Sequence, residues 1–116
     1  MKIKKYNKGD NGEVFATMEN NDVLALEWMP FAGDMTMVKV DVFKGEEMEF
    51  DKSYRVFLVK TWDIIKGKYE LSISVEEGSK HYDSCKVPLT SKQYYNPTKE
   101  MILKKLCQSF HGIIEA

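Results

Sequence analysis

The sequence has little of several features that would place a protein in a particular class. It contains only two cysteines and three prolines, and its formal net charge is −1. Two cysteines are too few for a disulfide framework, so we expect free thiols in a reducing compartment. The near balance of 17 basic and 18 acidic side chains excludes a whole-molecule positive field that would draw the chain onto nucleic acid or anionic lipid. Binding to either would need a local patch.

Long apolar runs are also missing. None follows the basic residues of the N-terminus, and no stretch approaches the roughly 20 apolar residues that cross a bilayer. We therefore expect no secretory signal, no membrane partner and a cytoplasmic location, which is the host cytoplasm if the chain is phage-encoded. The length predicts that residues 1–116 form a single β-rich domain with one hydrophobic core.

Residues that could carry catalysis are scarce. The chain has two histidines, His81 and His111, and neither lies in a catalytic signature. His81 and Cys85 would lie about 13 Å apart along an extended strand, which is too far to share one metal ion. The acidic stretch 46–51 lacks the ligand spacing and the glycine of an EF-hand. We expect no enzymatic activity, no cofactor and no metal site.

What the chain does have is a succession of short strand patterns separated by turn signals rich in Gly, Asn and Asp. "KYELSISV" (68–75) alternates between apolar and polar residues, which predicts a strand with one buried face. The same alternation predicts strands in "GEVFATME" (12–19), "DVLALEWM" (22–29) and "MTMVKVDVF" (35–43). "YRVFLVKTW" (54–62) has an unbroken apolar centre and is predicted to be a central strand. Pro88 predicts that "KHYDSCKVPL" (80–89) lies at an edge or ends at the proline, because proline cannot donate to the ladder.

The C-terminal residues change to a helical period. Asn96 is predicted as the N-cap and Pro97 as the first helical residue, and Gly112 ends a helix that covers about 97–111. The apolar residues of this segment are Ile102, Leu103, Leu106, Phe110, Ile113 and Ile114. They predict an amphipathic helix that packs on the sheet, and their width leaves room for a homodimer contact. Together the patterns predict a mainly β fold, a five- to six-stranded antiparallel barrel or curved sheet with one C-terminal α-helix.

Binding chemistry is better represented than catalysis. Aromatic residues make up 12% of the chain, and several fall on polar faces of their strands. Phe15, Phe43, Tyr82 and Trp62 are of this kind. Each ring has a simpler explanation, which is that it covers a neighbouring side chain. In "VKTWDIIKGKYEL" (59–71), however, Lys60 and Trp62 point to the same side of a strand, and further lysines follow in the turn. Unpaired bases stack on aromatic side chains while lysines neutralise phosphates.

The segment "SYRVFLVKTWDIIKGKYELSISV" and the short-stranded layout resemble the small OB-fold single-stranded-DNA-binding proteins, including those of bacteriophages. The resemblance implies that Tyr54, Lys60, Trp62 and Lys68 lie on or near a binding groove. With the rings and cations found from the strand faces, the predicted nucleic-acid-binding residues are Trp62, Lys60, Tyr54, Lys68, Lys66, Phe43, Lys39, Tyr82 and Lys86. A weaker resemblance, in "KVPLTSKQYYNPTKEM", is to transcriptional coactivators with a four-stranded meander and a helix, which bind single strands as dimers.

Two functions therefore stay open. The favoured hypothesis is non-enzymatic binding of single-stranded nucleic acid, most simply single-stranded DNA, in phage replication or recombination. The alternative is a small phage- or mobile-element-type inhibitor that binds a host protein such as a defence nuclease. The acidic stretch "GEEMEFD" (45–51) suits the alternative, because clustered carboxylates can mimic phosphates.

Overall fold

The computed structural model describes residues 1–116 and contains eight strands and two helices. The strands are β1 (Ile3–Lys8), β2 (Val14–Met18), β3 (Val23–Trp28), β4 (Met35–Lys44), β5 (Glu49–Asp63), β6 (Lys68–Glu77), β7 (Lys80–His81) and β8 (Cys85–Leu89). The helices are α1 (Ser91–Tyr95) and α2 (Lys99–Ile114). The predicted mainly β fold with a C-terminal helix is confirmed.

All eight strands belong to one antiparallel sheet in which β1 to β7 follow each other as a meander. β7 pairs with the end of β6 at Glu76 and Glu77, and β8 pairs with the beginning of β6 from Tyr69 to Ile73. These two strands therefore share one edge of the sheet, and β1 forms the other edge. The edges do not pair with each other, so the sheet is open and is not closed into a barrel.

Alternating residues bury one face of the sheet against α2. On β2, Val14, Ala16 and Met18 are fully buried, as the sequence pattern predicts. Helix α2 contacts strands near both edges, β1 and β8, as well as β3 and β6. The sheet therefore bends around the helix, and we call this side the helix face and the other side the outer face. Covering one Leu or Phe side chain in this way contributes about 1.5–3 kcal/mol.

The helical region differs from the predicted boundaries. The N-cap of α2 is Thr98, whose side chain accepts a hydrogen bond from the Met101 amide, and the helix runs through Gly112 to Ile114. Asn96 instead ends α1, a short helix that the sequence pattern did not predict. The predicted start at Asn96 and Pro97 is therefore wrong, because Thr90 and Gln93 form an earlier capping box.

Strand β1 was also absent from the sequence prediction. In its sequence, "IKKYNK", apolar and polar residues do not alternate. In the structure, the pairing with β2 shifts register between Ile3 and Lys5. This irregularity brings Ile3 and Tyr6, three residues apart, into contact with the core. A bulge of this kind hides a strand from a search for a period of two.

The apolar stripe of α2 is used within the chain. Ile102, Leu103, Leu106 and Phe110 are fully buried by the sheet, as is Cys107, which the sequence predicts to be a small core residue. Only Ile114 of the predicted stripe remains half-buried. The surface that suggested a dimer contact is therefore covered by the protein's own sheet. Neither helix has the length and apolar character needed to span a membrane.

The end of α2 is tied to the β2–β3 turn by a polar cluster. His111, 2% exposed, places Nε2 3.1 Å from Asp22 Oδ2, and the same oxygen accepts a hydrogen bond from Lys44 Nζ at 2.8 Å. Burial alone would raise the pKa of Asp22, but hydrogen bonds from Lys44, His111 and Asn20 outweigh it and hold that pKa below its usual value. The cluster joins helix, turn and β4.

Candidate nucleic-acid interface

Four aromatic rings meet at one end of the sheet, where the β3–β4 loop, the β5–β6 turn and α1 lie together. We call this the aromatic end. Trp62 and Tyr69 face each other across β5 and β6, and their ring centroids are 4.5 Å apart. Tyr94 of α1 packs on Tyr69 at 4.6 Å, and Tyr95 meets both tyrosines edge-on at 5.7 and 5.1 Å. Each such pair contributes about 0.5–1.5 kcal/mol beyond area burial.

Chain connectivity explains why these rings meet. Leu89, the last residue of β8, lies opposite Tyr69. Thr90 then caps α1 immediately: its side chain accepts a hydrogen bond from the Gln93 amide, and the Gln93 side chain accepts one from the Thr90 amide. The helix therefore begins directly beside Tyr69, and its tyrosines fold back over that ring.

Two rings of the cluster are exposed to solvent and two are half-buried. Trp62 is 47% exposed and Tyr95 is 65% exposed, whereas Tyr69 and Tyr94 are half-buried behind them. The hydroxyls of Tyr69 and Tyr95 lie 3.3 Å apart, and this hydrogen bond raises the pKa of Tyr95. Two open rings held by two packed ones form a surface on which a flat ligand can stack.

Lys60 lies behind this surface and does not project from it. Its Nζ donates to the Tyr94 carbonyl at 2.9 Å and lies 5.1 Å from the Tyr94 ring centroid and 5.2 Å from that of Phe31. The lysine thus anchors α1 to β5 through one hydrogen bond and two cation–π contacts. On this side of the strand, Lys60 holds α1 in place, whereas Trp62 contacts Tyr69 of β6.

The β5–β6 turn projects beside Trp62. Asp63 Oδ1 accepts hydrogen bonds from the amides of Ile65 and Lys66, both at 3.0 Å, and these bonds, the one to Lys66 first, hold the Asp63 pKa below its usual value. Gly67 supplies the left-handed backbone that closes the turn, with φ of 63°. The carboxylate is therefore directed into the turn, and the side chains of Ile64, Ile65 and Lys66 point outward.

Exposed cations lie on the two elements that carry the rings. Lys66 and Lys68 lie on the turn and Lys92 lies on α1, and all three are exposed. None of them forms an ion pair with a carboxylate. Two of the predicted binding lysines, Lys66 and Lys68, therefore lie in the same hairpin as Trp62 without an ion pair. Lys68 lies opposite Asp63, so its side chain is on the other face of the hairpin from Trp62.

The other predicted binding residues lie elsewhere. Tyr54 is 5% exposed and packs in the core on Phe110, at 5.1 Å between centroids. Tyr82 packs on Tyr54 far from the aromatic end, and its hydroxyl lies 3.2 Å from a Glu77 carboxylate oxygen. Alternation places three more on the outer face: Phe43, which packs on Phe50, and the exposed Lys39 and Lys86. The polar-face rings therefore do not merge into one surface.

Three residues of the cluster were missed from the sequence. Tyr69 lies on the same face of its strand as Leu71, so the pattern predicts a core residue. Tyr94 and Tyr95 lie in a helix that the sequence pattern did not predict. The capping box formed by Thr90 and Gln93 was the available signal, since Thr followed by Gln three positions later marks a helix start.

The largest cleft lies at the opposite end of the molecule. It has a volume of about 600 Å³ and lies between residues 80–85 and the last turns of α2. His81 and Cys85 both border it, but His81 is engaged with Glu76, 3.0 Å from Nδ1 to the carboxylate. No group of three His, Cys, Asp or Glu side chains is arranged to hold a metal ion.

Comparison of the chain with protein-family models, curated proteins and solved structures finds no match.

Proposed function

We propose that this protein binds single-stranded nucleic acid, most simply single-stranded DNA, at the aromatic end. The observation that carries the proposal is the open pair of rings, Trp62 and Tyr95, backed by Tyr69 and Tyr94. Bases freed from a duplex expose flat faces on both sides, and each base that stacks on an aromatic ring contributes about 1–3 kcal/mol.

The phosphate contacts come from the cations around the rings. Lys66, Lys68 and Lys92 are exposed and free of carboxylate partners. The net charge of −1 gives the whole molecule no general attraction for phosphate, so binding depends on local lysines. The affinity therefore falls as salt rises, but the slope of log affinity against log salt is shallow because few phosphates are neutralised. An open curved sheet serves this purpose, because the rings come from one hairpin and one helix and need no closed barrel.

A second candidate is favoured by one observation at the same end. Ile64 and Ile65 are 82% and 93% exposed, and exposed apolar groups often mark protein docking sites. A host protein such as a defence nuclease could cover them, in which case the rings serve the protein contact.

The first experiment is a fluorescence titration with a thymidine oligonucleotide of about 35 residues, longer than the 4–16 nucleotides that one small domain covers. A Trp28→Phe variant leaves Trp62 as the single tryptophan, which can be excited selectively at about 295 nm or above. We expect quenching at low salt and an affinity that falls as salt rises, because bases stack on Trp62 and lysines release counterions from the phosphates. Unchanged fluorescence and no shift in electrophoretic mobility at low salt would contradict the proposal and direct the search to a protein partner.

A further inference from the structure

The tip of the β5–β6 hairpin has two bare isoleucines. Ile65, at 93% exposed, and Ile64, at 82%, are the most exposed large apolar residues of the chain. Stacking of unpaired bases needs only the neighbouring rings and does not use these side chains. Covering them would contribute roughly 25 cal/mol for each Å² removed from water, so a ligand with an apolar face would gain from contact with the tip.

The tip is held in one conformation. Asp63 binds the amides of Ile65 and Lys66 through its side chain, and its carbonyl accepts a hydrogen bond from Gly67 at 2.8 Å. The turn therefore presents its isoleucines without having to be ordered on binding, which removes part of the entropic cost of association.

The charges around the tip indicate what kind of ligand would cover the isoleucines. Lys66 follows the isoleucines directly and Lys68 begins β6, and neither has a carboxylate partner. An apolar knob with two free cations fits a flat apolar face bordered by negative charge. The last base pair of a duplex has these properties, because its outer face is unstacked and a phosphate chain leaves each side. Aliphatic side chains, isoleucine among them, pack against base faces in known protein–DNA contacts.

We infer that the ligand of this site is a single strand that continues into a duplex. Ile64 and Ile65 cover the outer face of the terminal base pair, Lys66 and Lys68 contact the phosphates of the two strands, and the unpaired strand runs across Trp62 and Tyr95. This inference rests on the proposed function, since it adds a duplex end to the same single-strand site.

The test compares two probes at the same salt. One is a single strand of about 20 thymidines and the other carries the same tail on a duplex of about 15 base pairs, each long enough for the site. We expect the junction to bind about tenfold more tightly than the single strand. 2-Aminopurine placed in the terminal base pair should lose fluorescence on binding, because the covered pair frays less.

A double variant with Ile64→Ser and Ile65→Ser should bind the junction no better than the single strand and should leave the fluorescence unchanged. Its single-strand affinity should stay close to that of the wild type. The matched control is Met48→Ser with Phe50→Ser, which removes two exposed apolar residues from the opposite end and should keep the junction preference.

The outcomes separate the two proposals. If the wild type binds both probes with equal affinity, the junction inference is overturned and single-strand binding still stands. The same conclusion follows if the double variant keeps the preference for the junction. Absence of binding to either probe overturns both. A dimer mass by light scattering that the isoleucine variant reduces to a monomer mass would mean that a second copy covers the tip, and this also overturns the inference.

Discussion

The two ends of the sheet differ in how their charged and aromatic groups are used. At the end opposite the rings, charges are paired within the chain: Lys52 with Glu77 at 3.0 Å, Arg55 with Glu76 at 3.1 Å, and Lys44 with Asp22. At the aromatic end, Lys66 and Lys68 have no carboxylate partner.

The rings show the same contrast. Away from the aromatic end, Tyr54 and Phe110 are in the core and Phe50 is exposed, whereas at the aromatic end Trp62 and Tyr95 are both open to solvent and belong to one cluster of rings. Paired charges and buried rings stabilise the fold, while free charges and open rings can gain only from a ligand. This difference is the basis for proposing that the aromatic end binds a ligand, and substitutions at each end test whether stability and binding separate.

The largest effect is expected on stability at the opposite end. Asp22→Ala would leave the buried imidazole of His111 and the Lys44 ammonium without their shared partner. We expect the free energy of unfolding to fall by about 2–3 kcal/mol, since a buried charged hydrogen-bond network loses its acceptor. Urea denaturation measures this change. The control is Asp41→Ala on the outer face, whose hydrogen bond from Ser53 is exposed and should cost less than about 1 kcal/mol. Equal losses in both variants would contradict the structural role of the cluster.

Acid should weaken the same contact. The pKa of Asp22 in the folded chain lies below its usual value of 3.8, so the unfolded chain binds the proton more readily. The contribution of Asp22 is therefore complete above about pH 4 to 5 and is lost as pH falls through the folded pKa, below 3.8. Asp63, Glu77 and Glu100 shift in the same direction, so the measurement is the difference between wild type and Asp22→Asn. A difference that stays constant from pH 6 to pH 3 would argue against this assignment.

At the aromatic end, Trp62→Ala should weaken single-strand binding by about 1–3 kcal/mol. The urea midpoint should change little, because the ring is half open. Phe50→Ala is the control, since Phe50 is 60% exposed at the opposite end and should leave binding unchanged. A large loss of stability without a loss of affinity would make Trp62 a packing residue only.

Thr90→Ala tests whether α1 positions the tyrosines. The variant removes one half of the capping box, which costs about 1 kcal/mol of helix stability. Because α1 has no buried residue, we expect Tyr94 and Tyr95 to loosen and single-strand affinity to fall, but by less than in Trp62→Ala. Restored affinity in Thr90→Ser, which can cap in the same way, would separate capping from general damage.

The smallest effect is expected from single lysines. Lys66→Gln should lower the slope of log affinity against log salt by about 0.7, the value for one phosphate contact on a single strand. Lys39→Gln on the outer face is the matched control and should leave the slope unchanged. Equal slopes for the two variants would remove Lys66 from the interface.

The elements with clean alternation were predictable from the sequence. β2, β4 and β6 carry their buried residues at every second position, β3 does so from Leu24 onward, and Pro88 lies in an edge strand. β1 escaped because its bulge breaks the period of two. Residues 80–89, expected as one strand, divide into β7 and β8, which are both on the free edge of β6.

The candidate site was only partly predictable. Trp62, Lys66 and Lys68 belong to one hairpin, as the sequence indicates, and their role in binding stays a prediction. Tyr54 was expected at the surface, but it packs under Phe110, a residue 56 positions along the chain in α2. Whether a ring on a strand is buried depends on where the distant helix α2 packs, and the local sequence pattern does not contain that information.

The sequence by itself determined which residues of most strands face inward and that the C-terminal residues form an amphipathic helix, because periods of two and 3.6 are local properties. Only the tertiary structure decided that the sheet stays open around α2, and that Tyr69, Tyr94 and Tyr95 join Trp62. Those contacts depend on cross-strand register and on where α1 docks after β8. Both follow from the packing of the whole chain.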